Sequence, residues 1–197
     1  MQGSAPRFRN ADAGGRRAFT LVEMLLVIVI LGLVVAFAAP KIDVQKFRAN
    51  SAMQAVGTAL LASQRLAVTR QHNIIVGFDV GAGALRIVDD TNNNNQIDPG
   101  EHQRVITLDR IVFGLGGAPL YGALAGPVSF TKKLGSLAAV TFHRDGSASE
   151  AGAVYLTTPR AVSDPRYAGD TRVIVIDRAT ARVSWYRASP PDWQRGF

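Results

Sequence analysis

Cysteine is absent from this chain, so neither a disulfide framework nor thiolate chemistry is available to it. Histidine is scarce. His72, His102 and His143 are scattered, and none sits in a metalloprotease or triad-like local pattern, so the reading is of a protein that is not an enzyme. Charge is sparse too: Asp, Glu, Lys and Arg together make up 19% of the residues, against 47% hydrophobic ones. At 197 residues the chain holds one domain with a substantial core and an appendage, rather than two full domains.

The net charge of +7 would by itself permit a nucleic-acid or anionic-lipid partner. Its distribution weakens that reading. Arg7, Arg9, Arg16 and Arg17 stand against Asp12 in the first 18 residues, while basic and acidic residues alternate along the body as they do on a solvated surface.

Much of the apolar excess lies in one block, FTLVEMLLVIVILGLVVAFAA, from Phe19 to Ala39, whose single charge is Glu23. About 20 such residues suffice to cross a bilayer as a helix. Arg16 and Arg17 before the block, with Lys41 after it, place the N-terminus on the cytoplasmic side and the body outside. Three kinds of N-terminus compete. Ala36-Phe37-Ala38 provides the small-residue pattern of a conventional signal peptide, and Arg16-Arg17 that of a twin-arginine signal. Both leave Glu23 unexplained.

The segment Arg16-Arg17-Ala18-Phe19-Thr20-Leu21-Val22-Glu23 resembles the leader and first residues of type IV prepilins and type II secretion pseudopilins. The resemblance implies cleavage by prepilin peptidase between Ala18 and Phe19, methylation of Phe19, and an assembly role for Glu23, facing the free amine of a neighbouring subunit. The residue before the cut is Ala18, where the family usually has glycine. Independently of the family, an acid at membrane depth is costly and is usually kept for a partner. Thr20 and Glu23 also have the spacing of a capping box, which suits the helix dipole.

Beyond Pro40, placed to kink the junction, the run to Gln71 has helix formers with Ala49, Ala52, Val56, Leu60, Ser63 and Ala67 on one face. Joined to the span, it predicts a helix of about 50 residues and roughly 75 Å. From His72 the pattern turns to short strands: 74–80, 84–88, 104–108, 128–132, 139–143, 153–157, 172–176 and 182–186, with a glycine-rich loop over 114–126. The strand at 172–176 has apolar residues on both faces and is expected to be buried on both. The resulting expectation is an α+β fold: a leader (1–18), a membrane half-helix (19–39), an amphipathic half-helix (40–71) packed on the head, and a β-rich two-sheet head built from strands alone (72–197). The passages ASQRLAVTRQHNIIVGF and VTFHRDGSASEAGAVYL resemble the GspH/FimT branch of that superfamily.

The resemblance implies an H-type minor pseudopilin of type II secretion, or a minor type IV pilin for adhesion or DNA uptake. It would be a single-pass protein of the bacterial inner membrane with a periplasmic head and other pilins as partners. A secreted calcium-binding β-domain is a third reading. The stretch from Asp90 to Glu101 fits the spacing of an EF-hand-type loop. Asp90, Asn92, Asn94, Asp98 and Glu101 would offer side-chain oxygens and Gln96 its carbonyl to Ca²⁺, with Asn95 where a left-handed residue is needed. The competing reading is a polar hairpin loop. A second surface is the C-terminal strand region, where Arg172, Arg178, Arg182, Arg187 and Arg195 accompany Trp185, Tyr186 and Trp193; basic and aromatic residues together can hold single-stranded nucleic acid. Trp185 and Trp193 are expected to pack into the head or its edge.

Overall fold

A computed structural model describes residues 19–38 and 43–196. They fall into two compact units that divide at Asp43 and Val44.

The first unit holds helix α1, Leu21–Ala38, with Glu23 in its first turn. Its large apolar side chains are exposed, from Leu21 at 83% to Val27 at 43%, so nothing in the unit covers them. Among the described residues no helix is long and apolar enough to cross a membrane. The 18 residues of α1 rise about 27 Å. A bilayer's hydrocarbon core is about 30 Å thick. Ala18, Ala39, Pro40, Lys41 and Ile42 lie outside the described residues, and with them the cleavage junction and the expected kink.

The second unit begins with helix α2, Val44–Arg70. Its buried stripe is made mostly of small residues, Ala49, Ala52, Gly57, Ala59, Ser63 and Ala67, which let the helix backbone lie close to the strands beneath. The helix stops at Gln71, which takes a left-handed φ of 59°. Arg70 pairs with the buried carboxylate of Asp89, fixing the C-terminal end of α2 to a neighbouring strand. Gln64 Nε2 donates to the Thr180 carbonyl at 2.9 Å, fixing the helix to a turn of the opposite sheet.

The strands are β1 Asn73–Asp79, β2 Ala84–Asp90, β3 Gln103–Thr107, β4 Val112–Phe113, β5 Lys133–Leu134, β6 Leu137–Phe142, β7 Gly152–Thr157, β8 Arg172–Ile176, β9 Val183–Ser189 and β10 Asp192–Arg195. They form two five-stranded antiparallel sheets, β3-β2-β1-β6-β5 and β10-β9-β8-β7-β4. One core unites both sheets with α2 through Met53, Val56, Leu60, Val76, Leu85, Val140, Val154 and Ile174. At its centre Phe78 stacks on Phe130 with centroids 5.5 Å apart, and meets Phe113 edge-on at 6.2 Å. Gly152 is required there, because a Cβ would fall 2.4 Å from the Phe130 ring. As expected, β8 is buried on both faces.

Two expectations are corrected. The head is not built from strands alone: helix α3, Pro159–Ser163, and a 3₁₀ segment, Pro165–Asp170, lie between β7 and β8. They are held by polar bonds that periodicity does not reveal. The Asp170 carboxylate, 1% exposed, accepts from Thr158 Oγ1 at 2.8 Å and pairs with Arg160 at 2.6 Å. The strand expected over 128–132 is replaced by an isolated bridge at Val128 and by β5 further on. There Glu150 accepts from the Thr131 and Lys132 N–H groups, so a side chain takes the place of a ladder partner.

The glycine-rich segment from Gly114 to Gly126 covers the outer face of the second sheet. Tyr155 fastens it: its hydroxyl accepts from the Tyr121 N–H at 2.8 Å and donates to the Leu124 carbonyl at 2.7 Å. Tyr121 in turn lies 4.6 Å from the Tyr186 ring. The pKa of its own hydroxyl is pushed up to about 12 by a hydrogen bond with Tyr186, assisted by burial. Trp193 completes this aromatic cover.

Candidate functional site

The N-terminal group of residues starts at Phe19, which is 68% exposed. Thr20 caps α1: its Oγ1 accepts from the Glu23 N–H at 3.1 Å, and its carbonyl receives the Met24 N–H at 3.1 Å. One arm of the capping box therefore forms. The Glu23 backbone serves that cap, and among the described residues no cation pairs with the Glu23 carboxylate. The side chain is exposed on an otherwise apolar surface.

The Asn-rich stretch joins β2 to β3, without flanking helices, as expected from the sequence. Its backbone is wrapped around side-chain oxygens. Asp90 Oδ1 and Oδ2 each accept at 2.9 Å, from the Asn94 and Asn95 N–H groups respectively. Asn95 has φ 60°, the left-handed conformation wanted at its loop position. The Asn94 Oδ1 accepts from the Gln96 N–H at 2.8 Å. The Asn92 and Asn94 amide nitrogens both donate to Asp98 Oδ2, at 2.7 and 2.6 Å. Glu101 closes the loop by accepting from the N–H groups of Thr91 at 3.0 Å and Asp98 at 3.1 Å. The side chains of Asp90, Asn92, Asn94, Asp98 and Glu101 are thus knitted into one structure, and Gln96 enters through its N–H. Among the described residues, however, no three acidic or histidine side chains are gathered as a metal cluster. Two side-chain bonds anchor the loop to the head: Asn93 Oδ1 receives the Asn73 N–H at 2.8 Å, and Asn95 Oδ1 receives the Thr141 hydroxyl at 3.4 Å.

The C-terminal basic and aromatic residues do not share one surface. Arg172 is 3% exposed and donates to Asn50 Oδ1 and to the Gly169 and Thr171 carbonyls. Burial pushes its guanidinium below the usual range, against the pull of Asp170. Trp185 turns inward onto α2, while Tyr186 turns outward. Arg182 and Tyr186 line a shallow groove with Val175, Ser184 and Asp177. Asp177 is held below the usual carboxylate range by the Thr180 N–H and hydroxyl.

Sequence periodicity did not single out the face formed by α2 and β3. Ser51, Gln54, Ala55, Thr58 and Ala62 line a groove with Arg104 and Ile106 of β3. It adjoins a larger one of about 440 Å³ lined by Val44, Phe47, Ala52, Thr107 and Leu108. The signal available in the sequence is Val105, which with Ile106 makes two successive apolar residues between Arg104 and Thr107, so that one of them must face away from the core; Val105 is 58% exposed.

An acid-bearing apolar helix with its Thr20 cap, followed in sequence by a small-residue helix on two antiparallel sheets, makes the chain similar to type IV pilin-like proteins. The family described as "Prokaryotic N-terminal methylation motif" matches residues 14–39. Over 89 residues the chain is 35% identical to the pilin-like protein PilA1 of Thermus thermophilus. That match covers 44% of this chain and 56% of the relative, so the chain spans little more than half the length of the curated relative it matches. No solved structure matches the chain.

Proposed function

We propose that this protein is a minor pseudopilin of a type II secretion system, cleaved between Ala18 and Phe19 and assembled into the periplasmic pseudopilus through its apolar helix. The observation that carries the reading is the methylation motif over residues 14–39, in register with Thr20 and Glu23. In this reading Phe19 is methylated, Pro40 kinks the helix, and the Glu23 carboxylate meets the amine of a neighbouring pilin. The protein is anchored in the bacterial inner membrane, prepilin peptidase and other pilins are its partners, and its role is structural rather than enzymatic. Deleting the gene and restoring it in trans tests this. Loss of exported proteins from the medium, with surface pili intact, supports the pseudopilin. Loss of pili with normal export identifies a minor type IV pilin instead, the reading that the likeness to the pilin-like protein PilA1 also favours.

A second proposal concerns the β2–β3 loop. We infer that Asp90, Asn92, Asn94, Gln96, Asp98 and Glu101 bind Ca²⁺. Support comes from the Asp90 carboxylate receiving two loop N–H groups and from Asn95 at φ 60°. The Asn92 and Asn94 amides donate to Asp98 here; turning each amide over would present oxygen in place of nitrogen.

A further inference from the structure

Sheets of this size end in four edges, and each exposed edge is a row of unpaired backbone groups unless something blunts it. Here β4 and β5 are two residues long, too short to template another strand. β10 follows directly on Pro190 and Pro191 and is four residues long. β3 differs, with five regularly paired residues and neither proline nor lysine.

The direction of its free groups follows from the register. The Leu108 N–H donates to the Gly83 carbonyl at 2.9 Å and the Asp89 N–H to the His102 carbonyl at 3.0 Å. In an antiparallel ladder the bonded pairs alternate. Leu85 with Ile106 and Ile87 with Arg104 are therefore the bonded pairs between these ends. Gln103, Val105 and Thr107 then point both N–H and C=O away from β2, and among the described residues nothing receives them.

The side chains beside this edge select what could fill it. Arg104, Ile106 and Thr107 belong both to β3 and to the apolar grooves against α2, so a strand added here would lay alternate side chains over Ala55, Ala59 and Ala62. Arg104 is the charged residue of the groove nearer the middle of β3, while Arg48 shares the other with Asp109 without pairing to it, and neither arginine has a carboxylate partner among the described residues. Pairing β3 with β3 of a second copy, centred on Val105, would bring the two Arg104 side chains diagonally together on one face, a like-charge arrangement that opposes self-association.

We propose that the β3 edge is a docking site for an extended segment of a different protein, apolar at alternate positions and acidic between them, which adds a sixth strand to the first sheet. This goes beyond the pilin-like reading and does not depend on which filament the protein joins. The test uses the full chain in detergent micelles and a labelled nine-residue synthetic peptide alternating valine with glutamate. Saturable binding is expected, with hydrogen exchange at the Gln103, Val105 and Thr107 amides slowed about tenfold or more. Val105→Pro removes one outward N–H and no bond to β2, so it should weaken binding about tenfold with the melting temperature unchanged. Arg104→Glu, a variant that leaves the backbone alone, should shift preference to the same peptide carrying lysine for glutamate. Unchanged exchange at the three amides on adding peptide, or equal binding by both variants, overturns the proposal. So does preferential binding of a helical peptide with the α1 sequence, which would make the groove a helix site.

Discussion

The indole of Trp185 lies against the bare backbone of Gly57: a Cβ built on Gly57 would stand 3.0 Å from both Cε3 and Cζ3 of the ring. This contact joins α2 to β9 and explains a glycine in the middle of a buried helix, where it costs roughly 0.5–1 kcal/mol relative to alanine. Gly57→Leu has nowhere to place its side chain without displacing the indole, and overpacking of this kind costs about 1–3 kcal/mol. The expected result is a lower urea midpoint with unchanged slope, accompanied by altered tryptophan fluorescence.

Acid should loosen the strand-like segment around Thr131. Burial pushes the Glu150 carboxyl up, but the Lys132 N–H, the Thr131 hydroxyl and the Thr131 N–H together outweigh it and hold the group below its usual range. A carboxyl lowered on folding contributes stability that is fully present above its unfolded value and is lost as pH falls through the folded one. Glu150→Gln is therefore expected to cost about 1 kcal/mol between pH 5 and 7, with the difference from the parent shrinking below about pH 4. Urea unfolding at three pH values checks it.

Calcium should stabilise the full chain if the β2–β3 loop binds it. Mass action gives about 2.7 kcal/mol at a hundredfold excess over the dissociation constant. Glu101→Ala should remove more of that gain than Asn92→Ala or Asn94→Ala, because a carboxylate at the last loop position can supply two oxygens. Thermal unfolding with chelator and then with millimolar calcium reads the effect; identical curves would leave a polar hairpin loop.

Much of this architecture was legible in the chain, and the reasons are local. Small and apolar residues at helical spacing mark α2 because that face alone is buried, and β1, β2, β7 and β8 stand out because their apolar runs are bounded by turn residues. What escaped is held by long-range polar bonds. Asp170 gathers Thr158 and Arg160 to make a helical knot, and Tyr155 fastens a segment more than thirty residues away. Neither bond leaves a periodic trace. The arginines after β7 looked like one basic strip in sequence, but strand alternation and the burial of Arg172 divide them. The free edge of β3 is a property of sheet order, which the order of residues does not carry.

Glu23 separates insertion from assembly. If α1 enters the membrane as proposed, replacing its single acid by leucine removes a costly group there, so Glu23→Leu should insert at least as well as the parent. Its incorporation into filaments should fall to background if the carboxylate receives a neighbour's amine. Membrane fractionation and co-purification with partner pilins read the two properties. Normal incorporation would leave the residue with only its place beside the Thr20 cap.

Intact mass spectrometry of the protein isolated from its native membrane decides whether the apolar helix is retained. The expected mass is that of residues 19–197 plus one methyl group, with fragmentation placing the methyl on the Phe19 amine. A chain beginning at Ala39 would contradict it, because that N-terminus belongs to a conventional signal peptide whose apolar helix has been discarded.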